Sequence, residues 1–310
     1  MDRGKLNSNL LLLITSTIWG FGFVAQEMGS DHLGPNAFNG TRYSVGVVCL
    51  LIILLLWHRG RAMDGFRSRD WVKASLSAGL FLFFGSLLQQ AGIGYEATGP
   101  GKAGFITGLY VVIVPLLGLT LGHRTNAQMW AGVALATVGL WLLSFNLGNE
   151  QWAIRRGDLL VFFGAFCWAA HVLVIDRFAN RVSSLHLALG QVTVCAGASW
   201  VASALAEPME WASFRAAFLP ALYLGSMSIA VAFTMQIIGQ RKAHPTHASI
   251  IFAMEAVVGV FAGWLILHEQ LTQRELAGCL LMFCGMVLSQ LPVRFIRLGL
   301  TRRANDKPPA

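Results

Sequence analysis

The apolar positions of this chain fall into ten runs, roughly 8–27, 36–57, 74–95, 102–121, 127–146, 157–177, 184–206, 214–238, 247–267 and 274–292. Each is close to the ~20 residues a helix needs to cross a bilayer. The connections are short, and the longest is the basic segment 58–71. The pattern predicts an all-α integral membrane protein with ten transmembrane helices. Arg3 and Lys5 followed by 10-LLLLITSTIWGF imitate a secretory signal. No small-residue cleavage site follows a short apolar core, and nine more runs come after, so a retained first helix is expected.

Composition agrees with the pattern. Of the 310 residues, 55% are hydrophobic and 12% charged, with a mean hydropathy of +0.59. Soluble domains carry roughly 25% charged residues. The net charge of +8 could suggest a nucleic-acid partner, but the basic residues stand between apolar runs. With the N-terminus cytoplasmic, the inside segments hold Arg3, Lys5, Arg59, Arg61, Arg67, Arg69, Lys73, Arg124, Arg177, Arg181, Arg241, Lys242, Arg294, Arg297, Arg302, Arg303 and Lys307. The outside segments hold only Lys102, Arg155, Arg156, Arg215 and Arg274. That bias places both termini in the cytoplasm and makes the basic charge a topology signal. The cysteines Cys49, Cys167, Cys195, Cys279 and Cys284 form no C-x-x-C and lie in apolar runs. They read as small buried hydrophobes, with neither disulfide nor metal implied.

The chain also repeats itself. Trp19 in 18-IWGFGFVAQE aligns with Trp168 in 167-CWAAHVLVID at an offset of 149, which pairs Glu27 with Asp176 and Arg42 with Gln191. In the third element Gln90 meets Gln236 at offset 146, and in the fourth Pro100 meets Pro245. In the fifth, Gly132 meets Gly278 and Gly139 meets Gly285. Five is odd, so the second copy must lie upside down, as in the inverted repeats of secondary transporters. The expected organisation is a cytoplasmic N-terminus 1–7, a first repeat 8–146, a linker 147–156, a second repeat 157–292 and a basic cytoplasmic tail 293–310.

The stretch 98-TGPGKAGFITGLYVVIVPLLGL-119 opens like a phosphate loop, but Ala103 follows Lys102 where a Walker motif has Ser or Thr. Its glycines read instead as helix-packing surfaces: Gly104 with Gly108, Gly118 with Gly122, and Gly259 with Gly263 at G-x-x-x-G spacing. Pro115, in mid-helix, predicts a kink.

The segments W-G-x-x-F-V-A in helix one, T-G-P-G-K-A-G-F-I-T-G-L-Y into helix four, P-T-H-A-S-I-I-F-A-M-E into helix nine and 263-GWLILHEQLT-272 resemble the EamA-type permeases of the drug/metabolite transporter superfamily. The resemblance runs from about residue 8 to 292. Departures are Gly122-His123 and His268-Glu269 in place of Gly-Glu, and Ala256 in place of the proline that often follows the glutamate of helix nine. The resemblance implies ten helices in two inverted halves and a bacterial inner-membrane location. It implies transport of small metabolites such as amino acids, often by export, without ATP or another cofactor. The implied partners are a small-molecule substrate and the lipid bilayer, with a homodimer compatible and nucleic acid excluded.

Several residues qualify for a site. Glu255 lies near the midplane, where an ionised carboxylate costs several kcal/mol unless paired or protonated. It can serve as a proton or cation site, or as a neutral acid bonded between helices. Arg42, two turns into helix two, can take a substrate carboxylate bidentately, pair with a nearby acid or lean to the outer interface. His171 suits either a proton relay or a hydrogen-bonded scaffold. Trp19, Phe23 and Gln26 share a helix face, as do Trp168, His171 and Ile175, and Tyr43 and Tyr110 lie inside spans. Together they describe an aromatic, substrate-binding wall with polar handles, and also ordinary packing. Glu27, Gln90, Asp176 and Gln236 are gate candidates by their symmetry, with interfacial solvation as the alternative.

An intramembrane enzyme would need catalytic chemistry at depth, yet the sequence has no H-E-x-x-H, no G-x-S-x-G and no metal-spaced Cys/His set. A channel would be expected to show a ring of acids or a carbonyl filter, and neither is legible. Transport by alternating access, driven through Glu255 by protons or running as exchange without them, fits the sequence best.

Overall fold

The computed structural model describes residues 3–58, 68–94, 100–144, 155–208, 210–266 and 271–290. The expected tail 293–310, most of the linker 147–156 and most of the basic segment 58–71 lie outside the described residues. In chain order the helices are α1 (Arg3–Ser30), α2 (Pro35–His58), α3 (Arg69–Gly94), α4 (Pro100–Gly108), α5 (Tyr110–Thr120), α6 (Ala127–Ser144) and α7 (Arg156–Phe178). There follow α8 (Ser184–Ala206), the short α9 (Trp211–Ala216), α10 (Phe218–Tyr223), a π-helical segment (Leu224–Ala232) and α11 (Phe233–Gln240). The last three are α12 (Pro245–Phe252), α13 (Met254–Ile266) and α14 (Gln273–Gln290). No strand occurs among the described residues.

Eight helical stretches among the described residues are long and apolar enough to cross a membrane, and α6 is a shorter apolar helix. One stretch joins α4 to α5, another joins α10 through the π segment to α11, and a third joins α12 to α13. The polarity is turned inside out relative to a water-soluble fold. Leu51, Ile52, Leu55, Leu56, Val201, Leu205, Leu265 and Leu280 face outward. Arg42, Gln89, Gln90, His171, Gln191, Gln236 and Glu255 are buried. With hydrocarbon as solvent, the apolar flanks lose nothing by exposure, and polar groups are stable only inside the bundle.

Backbone-to-backbone approach organises the packing. α6 lies along α14, and each of its two glycines faces a glycine there. A methyl group on Gly132 would sit 2.9 Å from the Gly285 carbonyl oxygen, and one on Gly285 would sit 2.7 Å from that of Gly132. Gly139 and Gly278 face each other in the same way, at 2.6 and 2.7 Å. Small residues here let two helices meet at their backbones. α1 packs on α13 through Gly20, whose methyl would lie 2.7 Å from the Glu255 carbonyl oxygen. α7 packs on α4 and α5. α2 and α8 pack on each other, α2 also on the π segment, and α3 on α7 and α8.

Of the G-x-x-x-G glycines expected to pack, Gly108 does so closely, against Leu140. Gly104 and Gly259 make only ordinary contacts, and Gly122 is instead a turn residue at φ +86° with open space around it. The other tight contacts fall on glycines outside those motifs, because spacing along one helix says nothing of which face meets a partner.

α4 and α5 are separated at Leu109, where the N–H groups of Leu109 and Val112 bond three residues back, and Pro115 lies inside α5. Ala253 interrupts α12 and α13 likewise, with the Ala256 N–H bonded to the Ala253 carbonyl. No proline follows Ala253 within that helix, so proline is not what both breaks have in common.

Candidate functional site

Each interruption is followed at once by the side chain that matters. Tyr110 is the first residue of α5, and Glu255 is the second of α13. The Tyr110 hydroxyl donates to Glu255 Oε1 at 3.0 Å, with both side chains buried. The sequence singled out both residues but not their pairing. The hydrogen bond offsets part of the desolvation of a carboxyl group held away from water.

Beside this pair lies an aromatic cluster centred on Phe233 of α11. Trp19 meets Phe233 at 5.2 Å between ring centroids and Phe252 at 5.3 Å, both tilted. Trp168 stacks on Phe233 at 6.5 Å and 17°, and His171 meets Phe233 edge-on at 5.7 Å. The structure thus brings Trp19, Trp168 and His171 together. Phe233 and Phe252, which join them, carried no sequence signal that distinguishes them from packing phenylalanines. Phe23 stands apart, buried with Ile93, Ala103, Ile106 and Val161.

Polar partners fix the rings. The Trp19 indole donates to the Ser228 carbonyl oxygen within the π segment at 3.2 Å. The Trp168 indole donates to Gln89 Oε1 at 2.8 Å, and Gln89 Nε2 donates in turn to Gln26 Oε1 at 3.1 Å. His171 Nε2 donates to Gln191 Oε1 at 2.8 Å. Gln90 Nε2 donates to the Gln26 carbonyl oxygen at 3.0 Å, and Gln236 Nε2 to Gln240 Oε1 at 2.9 Å. Both glutamines are buried, and each donates from its side-chain amide. Gln89 is the link that the sequence pattern did not single out, whereas Gln26 was expected on the face of Trp19 and Phe23.

Tyr43 and Arg42 form a separate group on α2. The Tyr43 and Ser86 hydroxyls lie 2.6 Å apart. Arg42 Nε donates to Asn39 Oδ1 at 2.9 Å, and its guanidinium lies 5.7 Å from the Phe38 ring centre and 5.3 Å from that of Tyr43.

The ends of the bundle carry charged contacts. Lys102 and Asp158 form an ion pair at 2.6 Å where α4 and α7 begin. At the opposite ends of those crossings, His123 Nε2 lies 3.6 Å from Asp176 Oδ2 and its ring meets His244 edge-on at 5.7 Å. His244 also caps α12, its Nδ1 accepting from the Thr246 N–H at 3.3 Å. Burial, and then the nearby charge of His123, lower its pKa from the ordinary 6.5. Glu27 is half-buried near the end of α1.

Apolar outward faces, several bilayer-length helices and a polar, aromatic centre define a multi-pass membrane protein of the transporter type. The chain belongs to the EamA-like transporter family, whose model matches it over residues 6–145 and again over 155–291. It is 25% identical over 288 residues to the uncharacterized transporter YoaV of Bacillus subtilis, covering 90% of this chain and 94% of the relative. A probable amino-acid metabolite efflux pump of Escherichia coli is 21% identical over 301 residues, covering 92% and 95%. The aromatic amino acid exporter YddG of Escherichia coli is 27% identical over 198 residues, covering 60% and 64%. A solved crystal structure superposes with a TM-score of 0.76 over 93% of this chain and 98% of its own, at 19% identity, and so shares the fold.

Proposed function

We propose that this protein is a secondary transporter of small amphipathic metabolites, amino acids or their relatives, working by alternating access. Ten crossings form two inverted five-helix repeats, 8–146 and 157–292, with both termini cytoplasmic in a bacterial inner membrane and export as the direction. Relatives named as an amino-acid metabolite efflux pump and an aromatic amino acid exporter support the substrate class.

Reciprocal contacts support the inverted repeat. In a two-fold arrangement, if residue i meets the counterpart of j, then j meets the counterpart of i. Gly132 and Gly139 have Gly278 and Gly285 as counterparts, and their contacts are crossed in this way: Gly132 with Gly285, Gly139 with Gly278. A methyl on Gly79 would meet Val194 and the Gln191 carbonyl oxygen, while one on Gly225 would meet Val45 and that of Arg42, every pair exchanged. Further along, Gly92 meets Val161 and Gly157, and Gly239 meets Leu12 and Ser8. Between those glycines the offset rises from 146 to 147. The π segment, which contains Gly225 and ends at Ala232 before Gly239, absorbs the extra residue. In this reading the counterpart of Gln236 becomes Gln89, in place of Gln90.

The observation that carries the proposal is the Tyr110–Glu255 hydrogen bond. Tyr110 and Glu255 are counterparts at offset 145, each just after an interruption, so the bond lies where the two halves meet. Interrupted helices at the repeat interface are where transporters of inverted design bind substrate and coupling ions. A carboxyl group there can exchange a proton for substrate. Solute flux into proteoliposomes under an imposed pH gradient tests this. Wild type should respond to the gradient and Glu255→Gln should not. Flux indifferent to both gradient and substitution would remove proton coupling and leave exchange.

A further inference from the structure

Arg42 is out of balance with its surroundings. It is 5% exposed, lies seven residues into α2, about 10 Å along its axis, and has no ion-pair partner among the described residues. Its Nε is satisfied by Asn39 Oδ1, but its two terminal nitrogens bond to nothing among the described residues. Asn39 is fully buried, and its Nδ2 also has no acceptor. The aromatic rings of Phe38 and Tyr43 flank the guanidinium, and they attract a cation without accepting its hydrogens. The seat therefore offers several donors and a positive charge, while its carboxamide acceptor, Asn39 Oδ1, is already taken by Arg42 Nε.

At the counterpart position the other half of the molecule holds a neutral side chain, whose Nε2 has no partner among the described residues. The counterpart of Arg42 is Gln191, a neutral side chain that accepts from His171. The counterpart of His171 is Gly22, which has no side chain to offer Arg42. An unpaired buried cation is expensive to keep, and buried charges in membranes otherwise pair or serve a ligand.

We infer that Arg42, with Asn39, is an anion seat that takes the carboxylate of the transported solute, while the Phe38 and Tyr43 rings receive its apolar part. This rests on the transporter reading and narrows its substrate class to carboxylates. A guanidinium grips a carboxylate through two parallel N–H···O bonds, and Asn39 Nδ2 supplies a third donor. The position inside the bundle favours a solute over a lipid headgroup.

The test is the melting temperature of the purified full chain in neutral detergent, titrated with sodium acetate against sodium chloride at equal ionic strength, then with phenylacetate against phenylacetamide. The carboxylates should raise it saturably, phenylacetate at lower concentration than acetate, and the amide should not. Arg42→Gln, which copies the counterpart residue, should melt no lower than wild type without ligand, because it removes an unpaired buried charge. It should also weaken the carboxylate response at least about tenfold, and Arg42→Lys should keep part of it. Equal responses to amide and carboxylate, no response to either carboxylate, or an unchanged response in Arg42→Gln overturn the inference. A response abolished by added phosphatidylglycerol assigns the seat to a lipid headgroup and overturns it too. Gradient-dependent flux in liposomes without a carboxylate response would refute this inference alone. A carboxylate response without flux of any solute would refute the transporter reading alone.

Discussion

At the scale of residues, the balance of buried donors and acceptors separates the candidates. Tyr110 donates to Glu255, His171 donates to Gln191 Oε1 while Gln191 Nε2 has no partner among the described residues, and Trp168, Gln89 and Gln26 form a relay of donors and acceptors. Tyr110→Phe removes the one donor that Glu255 receives among the described residues. It should lower stability by about 1–3 kcal/mol, the cost of leaving a buried polar group unmatched. Adding Glu255→Gln to Tyr110→Phe should cost less than the sum of the two single changes, because neighbours that share one bond are not additive. Thermal unfolding of the three variants checks this, and strictly additive losses would mean the bond contributes nothing. The sequence marked Glu255 because an acid at that depth is costly. Its partner was legible only as a tyrosine inside a span, because the helix four–helix nine contact comes from packing.

At the scale of elements, the run lengths made the crossings readable, while their internal irregularities were hidden. Leu109 and Ala253 are ordinary helix formers, and the π segment Leu224–Ala232 reads as a plain apolar stretch. A π segment is rare and recurs at functional sites. Here it offers the Ser228 carbonyl to the Trp19 indole. Deleting one residue within it should restore the register that α3 keeps between Gly79 and Gly92. The protein should then fold with its glycine contacts intact but transport more slowly, because Trp19 loses its anchor. Unfolding alone, measured by circular dichroism, would contradict that account.

His244 gives a second element-scale expectation, at the N-terminus of α12. Its folded-state pKa lies below the ordinary 6.5, so the unfolded chain takes up a proton first as pH falls. Stability should therefore decline as pH drops below about 6.5, and the protonated ring also loses Nδ1 as a cap for the Thr246 N–H. His244→Asn keeps a capping acceptor and does not titrate, so it should flatten the decline in melting temperature between about pH 7.5 and 5. An identical decline in the variant would place the acid-sensitive group elsewhere.

At the scale of the whole molecule, the membrane class and the family were legible from composition and motifs. The site was legible only in parts, because its contacts join residues far apart along the chain, such as Tyr110 with Glu255 and Trp19 with Phe233. Aligning the halves by sequence gave the counterparts, and under the proposed inversion the crossed glycine contacts acquire a physical meaning: what one half presents, the other would receive upside down. Labelling from each side tests that inversion most directly. In a variant without native cysteines, Glu27→Cys and Asp176→Cys are treated with a membrane-impermeant maleimide on intact cells and on inverted vesicles. The account predicts that position 27 reacts from the periplasmic side only and position 176 from the cytoplasmic side only. Reaction of both counterparts from the same side would contradict it.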